Sequence, residues 1–444
     1  MKTCVDFVPP EIVEVIRALE DRHYETVLVG GCVRNHLLGL PVVDFDLATA
    51  ATPDVLLKMF PRAIPTGLRH GTVTLPLATT SCEVTTFREE GGYSDGRHPD
   101  SVHFTKSLAA DLMRRDFTVN AMALRLSGDL VDPLQGRTDL QQRTLRAVGR
   151  PVDRMAEDGL RILRAFRLAA QYELDIHDDT FAAMLSVPKA LTNIAMERIG
   201  RELLLFGEGN WPRLAAQLAE GRWLVYADSD RETSERHHAA EILQRALQEC
   251  TDSYQTMWKE RAGSLGAVHR QWTALTLWTS IGGGSSGEVV EWLKLRKMYA
   301  KTVARTLQLS LCPMETWSWS DWHTALYEQG WLITRLAVTV RSMAQNLNYH
   351  ELSSRAVVAL RTQPLWRRTD LPLRGQDVQA WTQRTGPEIG DILDWVVTEV
   401  LSGRLDGRSR SSVREAVTHS FRTSRESVLR DIKFHPRYTH RDGR

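Results

Sequence analysis

From Pro151 onward the chain is patterned almost wholly at helical spacing, whereas its first hundred or so residues (roughly one domain's worth) alternate helical and strand patterns. That change of period confines a sheet to the N-terminal part and makes the remainder a helical body. Residues 10–22 (PEIVEVIRALEDR) carry apolar positions at helical spacing, and Thr26-Val27-Leu28-Val29 is a short β-branched run that stops at Gly30-Gly31. The pattern then predicts a helix from Val33 to Leu38, a strand over Val42–Leu47, and a helix capped at Thr52 that runs through Met59. A hairpin follows, built from residues 72–77 and 82–87. Residues 88–101 (REEGGYSDGRHPDS) mix glycine, proline and charge without a period, so they read as a loop long enough to act as a lid. Helices are expected over 153–172, 176–185 and 196–208, and in many later stretches; Gly282–Gly287 (GGGSSG) is a turn between helices.

With 42% hydrophobic and 25% charged residues, the chain has globular proportions, and 444 residues allow several modules. The net charge of +1 hides an uneven distribution: residues 331–444 hold 19 Lys+Arg against 12 Asp+Glu. A nucleic-acid partner would therefore be gripped through the C-terminal third. The five cysteines are scattered, without CxxC or Cys/His spacing, which suits free thiols in a reducing cytoplasm. No run of about 18 uncharged apolar residues could span a bilayer and the N-terminus lacks a signal-peptide pattern, so the expected location is cytoplasmic, with no membrane partner.

Strand alternation puts Asp44 and Asp46 on one face, where two carboxylates can share Mg²⁺ ions and substrate phosphates, or form a solvated strand edge. Gly30-Gly31 leads from a strand into a helix bearing Arg34, which suits either a simple turn or a phosphate-facing backbone. Glu83, on the second hairpin strand, is a third carboxylate for the aspartate pair or a surface residue. In Glu157-Asp158-Gly159-Leu160-Arg161, helical spacing lets Glu157 and Asp158 both reach Arg161, as a functional cluster or as ordinary exposed salt bridges.

Taken in order, Leu28–Arg34, Asp44–Thr49, Gly71-Thr72-Val73, Glu83–Phe87 and Arg114–Ala121 closely resemble the motifs of the class II tRNA nucleotidyltransferases. The likeness is dense over residues 25–205 and thinner afterwards, although Leu373–Val378 and Gly386–Gly390 look like the family's tail. This resemblance implies an α/β, polymerase-beta-like head followed by an all-α neck, body and tail, with boundaries at 1–147, 148–210, 211–330 and 331–444. It implies that Asp44 and Asp46 bind two metal ions assisted by Glu83, and that Gly30, Gly31 and Arg34 hold the triphosphate. In the run containing Arg115, Asp116 and Asn120, the aspartate would accept from the ribose 2′-hydroxyl while an arginine positions it. Glu157, Asp158, Arg161 and Arg164 resemble the motif by which the family selects bases without a nucleic-acid template. Asp158 would accept from the exocyclic amino group that CTP and ATP share, Arg161 would donate to the same edge, and Glu157 would orient Arg161. Arg164 would reach phosphate or support the cluster.

The family commonly has Asp where this chain has Asn35, a change that keeps hydrogen-bonding shape and loses charge. Loop 88–101, with Tyr93, Asp95, Arg97 and Pro99, resembles that of enzymes able to add the terminal A, which disfavours a CC-only relative. The implied reaction is addition of CCA to the 3′ end of tRNA from CTP and ATP, with pyrophosphate released. The alternatives are an A-adding enzyme acting on tRNA that ends in CC, a poly(A) polymerase, and a catalytically silent tRNA-binding protein; the oligomeric state, monomer or homodimer, is left open. Residues 401–444, with 11 Lys+Arg including Arg404, Arg408, Arg410 and Arg414, suit phosphate contacts to folded RNA. Trp258, Trp292, Trp319 and Trp395 are expected in the helical core.

Overall fold

The computed structural model describes residues 6–92, 101–192, 194–227, 234–250, 252–263, 265–295 and 297–422. They form two compact units, one of residues 1–252 with 292–294 and the other of residues 253–291 with 295–444.

The first unit opens with α1 (Pro10–Glu20), whose Ile12, Val15, Ile16 and Leu19 recur at helical spacing and are buried. β1 (Thr26–Val29) is buried along its whole length, as a central strand must be. α2 (Gly31–Leu37) begins directly at the glycine pair, β2 spans Phe45–Thr49 and α3 spans Pro53–Met59. Strands β3 (Ile64–Gly67), β4 (Thr72–Pro76) and β5 (Ser81–Thr86) follow; β4 and β5 alternate buried and more exposed positions, as a sheet with one covered face requires. With β6 (Arg88–Gly91), β7 (Ser101–Phe104), β8 (Ala123–Leu124) and β9 (Leu130–Val131) the strand inventory gives a seven-stranded sheet, ordered β3-β4-β5-β2-β1-β8-β9, and a separate β6-β7 ribbon. Val27, Val29, Ala48, Phe87 and Ala123 bury one sheet face against Leu108 and Leu112 of α4 (Leu108–Met113).

After α5 (Gly136–Gln141), the short strands β10 (Thr144–Leu145) and β11 (Asp175–Ile176) pair in parallel. Around them stand α6 (Pro151–Glu157), α7 (Leu160–Tyr172), α8 (Asp178–Leu185) and α9 (Met196–Glu208). In the second unit, helices Trp319–Ala344 and Tyr349–Thr362 surround a core that includes Trp322, Leu326, Ala337 and Ala356. A separate core, with Val378, Ile392, Val396 and Val417, is enclosed by helices Gly375–Thr382, Pro387–Leu401 and Arg410–Arg422. The long helix 319–344 breaks at Gly330, whose φ of 78° lies outside helical geometry. No helix among the described residues is long and apolar enough to cross a membrane.

Several local expectations are corrected. The strand expected at 42–47 starts at Phe45, because Val42 and Val43 have no strand to pair with: register with β5 begins at Phe45 and register with β1 ends at Asp46. The stretch read as a loop from 88 onward is a ribbon, since Arg88–Gly91 pairs with Ser101–Phe104; Tyr93, Asp95, Arg97 and Pro99 lie outside the described residues. The helix expected over 153–172 is two helices broken at Asp158-Gly159, and the one expected over 176–185 starts at Asp178 because Ile176 is in β11. Trp258 and Trp292 are buried and Trp395 packs against the second core, but Trp319, the first residue of its helix, is half exposed.

Candidate active site

In the first unit a cleft of about 760 Å³ opens between the ends of the central strands and α7. Its walls carry eight arginines and five carboxylates, a surplus of positive charge suited to a polyanionic ligand.

One wall is acidic. Asp46 lies in β2, opposite Val29 of β1 and directly beside Glu83 of the parallel strand β5. Asp44 precedes the strand by one residue and is exposed. The Asp46 side chain opens into the cleft, yet surrounding protein and then the Glu83 charge raise its carboxyl pKa. Among the described residues no cation is ion-paired to Asp44, Asp46 or Glu83, and no set of three metal-ligating side chains is already closed. The Arg115 charge offsets part of the repulsion between these carboxylates without an ion pair, and neighbouring hard oxygen donors that remain unpaired among the described residues fit a divalent cation. Cys32 and Cys82, both near Asp46, are buried thiols whose pKa burial pushes up to about 11 and about 12, so neither is a nucleophile at neutral pH.

The same end holds the glycine turn. Gly30 has φ 71°, and a Cβ there would stand 3.3 Å from the Arg115 guanidinium and 3.9 Å from Asp46 Oδ2. The turn therefore needs glycine both for its backbone and for the side chains crowding it. Arg34 is buried, its guanidinium donating to Asn120 Oδ1, to Asn35 Oδ1 at 3.1 Å and to the Tyr172 hydroxyl at 2.6 Å. Asn35 thus still orients the arginine despite the missing charge. The Nε atoms of Arg34 and Arg115 and Nη1 of Arg198 are buried without a hydrogen-bond partner among the described residues, donors left over for a ligand.

The central part of the cleft is neutralised in a different way. Arg164 from α7 grips Asp116 through two bonds of 2.9 and 2.6 Å, while Asp116 also accepts from Asn120 and from the Phe117 amide. Burial pushes the Asp116 carboxyl up, but Arg164, Arg161 and Asn120 more than offset it and hold the pKa well below the ordinary 3.8. Arg114 and Arg115 turn to Asp111, a fully buried carboxylate of α4 that sequence reasoning missed. Arg114 also reaches Glu90 at 3.1 Å, so the β6-β7 ribbon is tied to the same network. Asp111 lies i,i+3 and i,i+4 from these arginines, a helical spacing that was available in the sequence.

At the far end Arg161 donates to Glu157 at 2.5 Å and to the Arg154 carbonyl at 2.9 Å. Asp158 is extended, with φ −143°, and its carboxylate accepts from the Leu160 amide and pairs with Arg198 at 3.3 Å. A Cβ on Gly159 would lie 1.9 Å from the Ala190 carbonyl oxygen. Close packing at this glycine accompanies the break between α6 and α7, and the break presents Asp158 to the cleft beside Arg161. The structure therefore gathers Gly30, Gly31, Arg34, Asp46, Glu83, Arg115, Asp116, Asn120, Asp158, Arg161 and Arg164 along one cleft, with Glu157 bonded to Arg161, whereas Asp44, just before β2, is not among the lining residues.

Residues 26–146 match the family model of the poly A polymerase head domain, and residues 264–411 match that of tRNA nucleotidyltransferase domain 2. The chain is 34% identical over 396 residues to the CCA-adding enzyme of Levilactobacillus brevis, covering 88% of this chain and 93% of that one. It is 31% identical to the CCA-adding enzyme of a Geobacillus species over 91% of this chain and 95% of the relative. Among solved structures, the Bacillus stearothermophilus CCA-adding enzyme in complex with CTP aligns over 93% of this chain and 98% of its own, with a TM-score of 0.71 and 26% identity. Sequence, fold and cleft agree: the chain belongs to the CCA-adding enzymes, class II tRNA nucleotidyltransferases that carry a poly(A) polymerase head domain.

Proposed function

We propose that the cleft joins a nucleotide to the 3′ end of tRNA with one end reserved for chemistry and the other for base choice. The family reaction is CCA addition from CTP and ATP, and its polymerase-beta-like members typically use divalent metals. The observation that carries the assignment of roles is the contrast along the cleft, with the adjacent carboxylates Asp46 and Glu83 at one end, outside any ion pair among the described residues, and the arginine-paired Asp116 and Asp158 beyond it.

Asp44 and Asp46 would hold Mg²⁺, with Glu83 in support. Mg²⁺ bound there supplies charge neutralisation where the terminal 3′-hydroxyl meets the α-phosphate. Arg34 and Arg115 hold the triphosphate at the glycine turn, where Gly30 and Gly31 let the backbone come close, and they stabilise the departing pyrophosphate. Asp116 is kept ionised by Arg164 and fixed by Asn120, so it can accept from the ribose 2′-hydroxyl. Asp158 accepts from the amino group of cytosine or adenine, and Arg161, braced by Glu157, donates to the same edge. UTP and GTP present a carbonyl where Asp158 needs a donor, and are rejected.

In this reading residues 1–147 are the head, 148–210 the neck, 211–330 the body, and 331–444 a tail whose arginines bind tRNA through phosphate. A tRNA substrate, and the free state of the cysteines among the described residues, support our reading of a cytoplasmic location.

The test is extension of tRNA transcripts ending before CCA, after C and after CC, with CTP alone, ATP alone and both, read by product mass. Completion of CCA on the shortest transcript is expected. Extension of only the CC-ending transcript, by ATP alone, would reassign the chain as an A-adding enzyme. No incorporation by any combination would leave a silent tRNA binder.

A further inference from the structure

We infer that Tyr172 is a positioning residue that sets Arg34 for the triphosphate and ties that grip to the helix carrying base selection; this rests on the role assigned to Arg34 above. Arg161, Arg164, Leu168 and Tyr172 fall at i, i+3, i+7 and i+11, so they form one stripe along α7. The first three line the cleft, and Tyr172 ends the helix about 18 Å from its first residue. There the Arg34 guanidinium carbon lies 4.1 Å from the tyrosine ring centroid and one Nη donates to the hydroxyl at 2.6 Å. Stacking and hydrogen bonding together fix both the plane of the guanidinium and its rotation.

The remaining partners of Arg34 belong to other segments. Asn35 is its neighbour in α2, and Asn120 lies 86 residues away on the segment that also holds Asp116. Arg34 is therefore a knot where the glycine turn, the ribose-side segment and α7 meet, and its Nε remains buried without a partner among the described residues. Loss of Tyr172 would free the guanidinium to rotate away from the triphosphate while leaving Asp158 and Arg161 in place. Tyr172 is not among the residues that line the cleft, so its effect on substrate passes through Arg34.

The experiment is a double-mutant cycle on the full-length enzyme, using Tyr172→Leu, Tyr172→Phe, Arg34→Lys and the Tyr172→Leu/Arg34→Lys pair. KM and kcat are measured for CTP and ATP, together with inhibition by pyrophosphate and the KM for tRNA. Tyr172→Leu is expected to raise both nucleotide KM values and the pyrophosphate inhibition constant by about tenfold, and to leave the tRNA KM unchanged. Tyr172→Phe, which keeps the ring and loses the hydroxyl, should give an intermediate rise of about threefold in the same constants. In the Arg34→Lys background, Tyr172→Leu should add less than about twofold. Equal, additive losses in both backgrounds would overturn the inference and make Tyr172 a packing residue. If Arg34→Lys itself left nucleotide KM and pyrophosphate inhibition unchanged, the triphosphate role of Arg34 would fall first, a separate result.

Discussion

Arginines concentrate in two places in this chain, and the two groups differ in exposure. In the cleft, Arg34 and Arg161 are less than a tenth exposed and are fixed by partners that include distant segments, as with Arg34 and Asn120, 86 residues apart. In the C-terminal part, Arg404, in the turn after helix Pro387–Leu401, and Arg410, at the start of its helix, are each 62% exposed at the side chain; Arg404 pairs with Glu399 five residues away and Arg410 with Asp377 at 2.6 Å, so what sets them apart from the cleft arginines is exposure. Arg410 and Arg414 flank the Trp381 ring at 6.0 and 5.9 Å. A preorganised, desolvated arginine can read the shape of one nucleotide, because it costs little to reorient when the ligand arrives. An exposed one supplies charge and adapts to whatever phosphate comes near, so its contribution is screened by salt. Under the proposed function, the two clusters would divide recognition between the small substrate and the large one.

The sharpest break in that comparison comes from the acidic end of the cleft. Asp44→Ala with Asp46→Ala should lower nucleotide incorporation by about a thousandfold or more while tRNA affinity stays within about twofold, measured by primer extension and filter binding. A parallel loss of tRNA affinity would mean that the carboxylates organise the whole unit and do not serve chemistry alone.

Next in size is the Asp116–Arg164 pair. Asp116→Asn should cost about 2 kcal/mol of stability at neutral pH, read by denaturant unfolding. Because Asp116 titrates lower in the folded protein than in the unfolded chain, its contribution is whole above about pH 4 and is lost as pH falls below that. The gap between wild type and variant should therefore close on acidification. A gap that persists down to acid pH would show that the carboxylate's charge is not what stabilises the site.

The smallest effects belong to the tail. Arg410→Ala and Arg414→Ala should each weaken tRNA binding a few-fold and reduce the slope of log affinity against log salt by about one, with no change in nucleotide KM. A changed nucleotide KM would erase the division between the clusters.

The sequence made the sheet side of this site legible and hid much of the other. Alternation in β4 and β5 put Glu83 on the open face of its strand, and the resemblance to the family set it beside Asp46, whose own strand is buried at four of its five positions. The break before α7 could not be read, since Gly159 sits against the backbone of Ala190, a contact that leaves no mark in local periodicity. A continuous helix would have put Glu157, Asp158 and Arg161 in one ordinary salt-bridge cluster, whereas the break turns Asp158 toward Arg198. The partner of Asp116 was hidden for a similar reason: the adjacent Arg115 is taken by Asp111, leaving Asp116 to Arg164, 48 residues on. The β6 strand was masked by glycine and charge, and with it the tie from Glu90 to Arg114.

The division of labour is tested most directly by measuring all four nucleoside triphosphates and tRNA affinity in parallel on wild type, Asp158→Ala and Arg161→Ala. The expected result is that either substitution narrows the preference for CTP and ATP over UTP and GTP by about ten- to a hundredfold, with tRNA affinity unchanged. Unchanged base preference together with weakened tRNA binding would contradict it, and would move Asp158 and Arg161 from nucleotide selection to RNA contact.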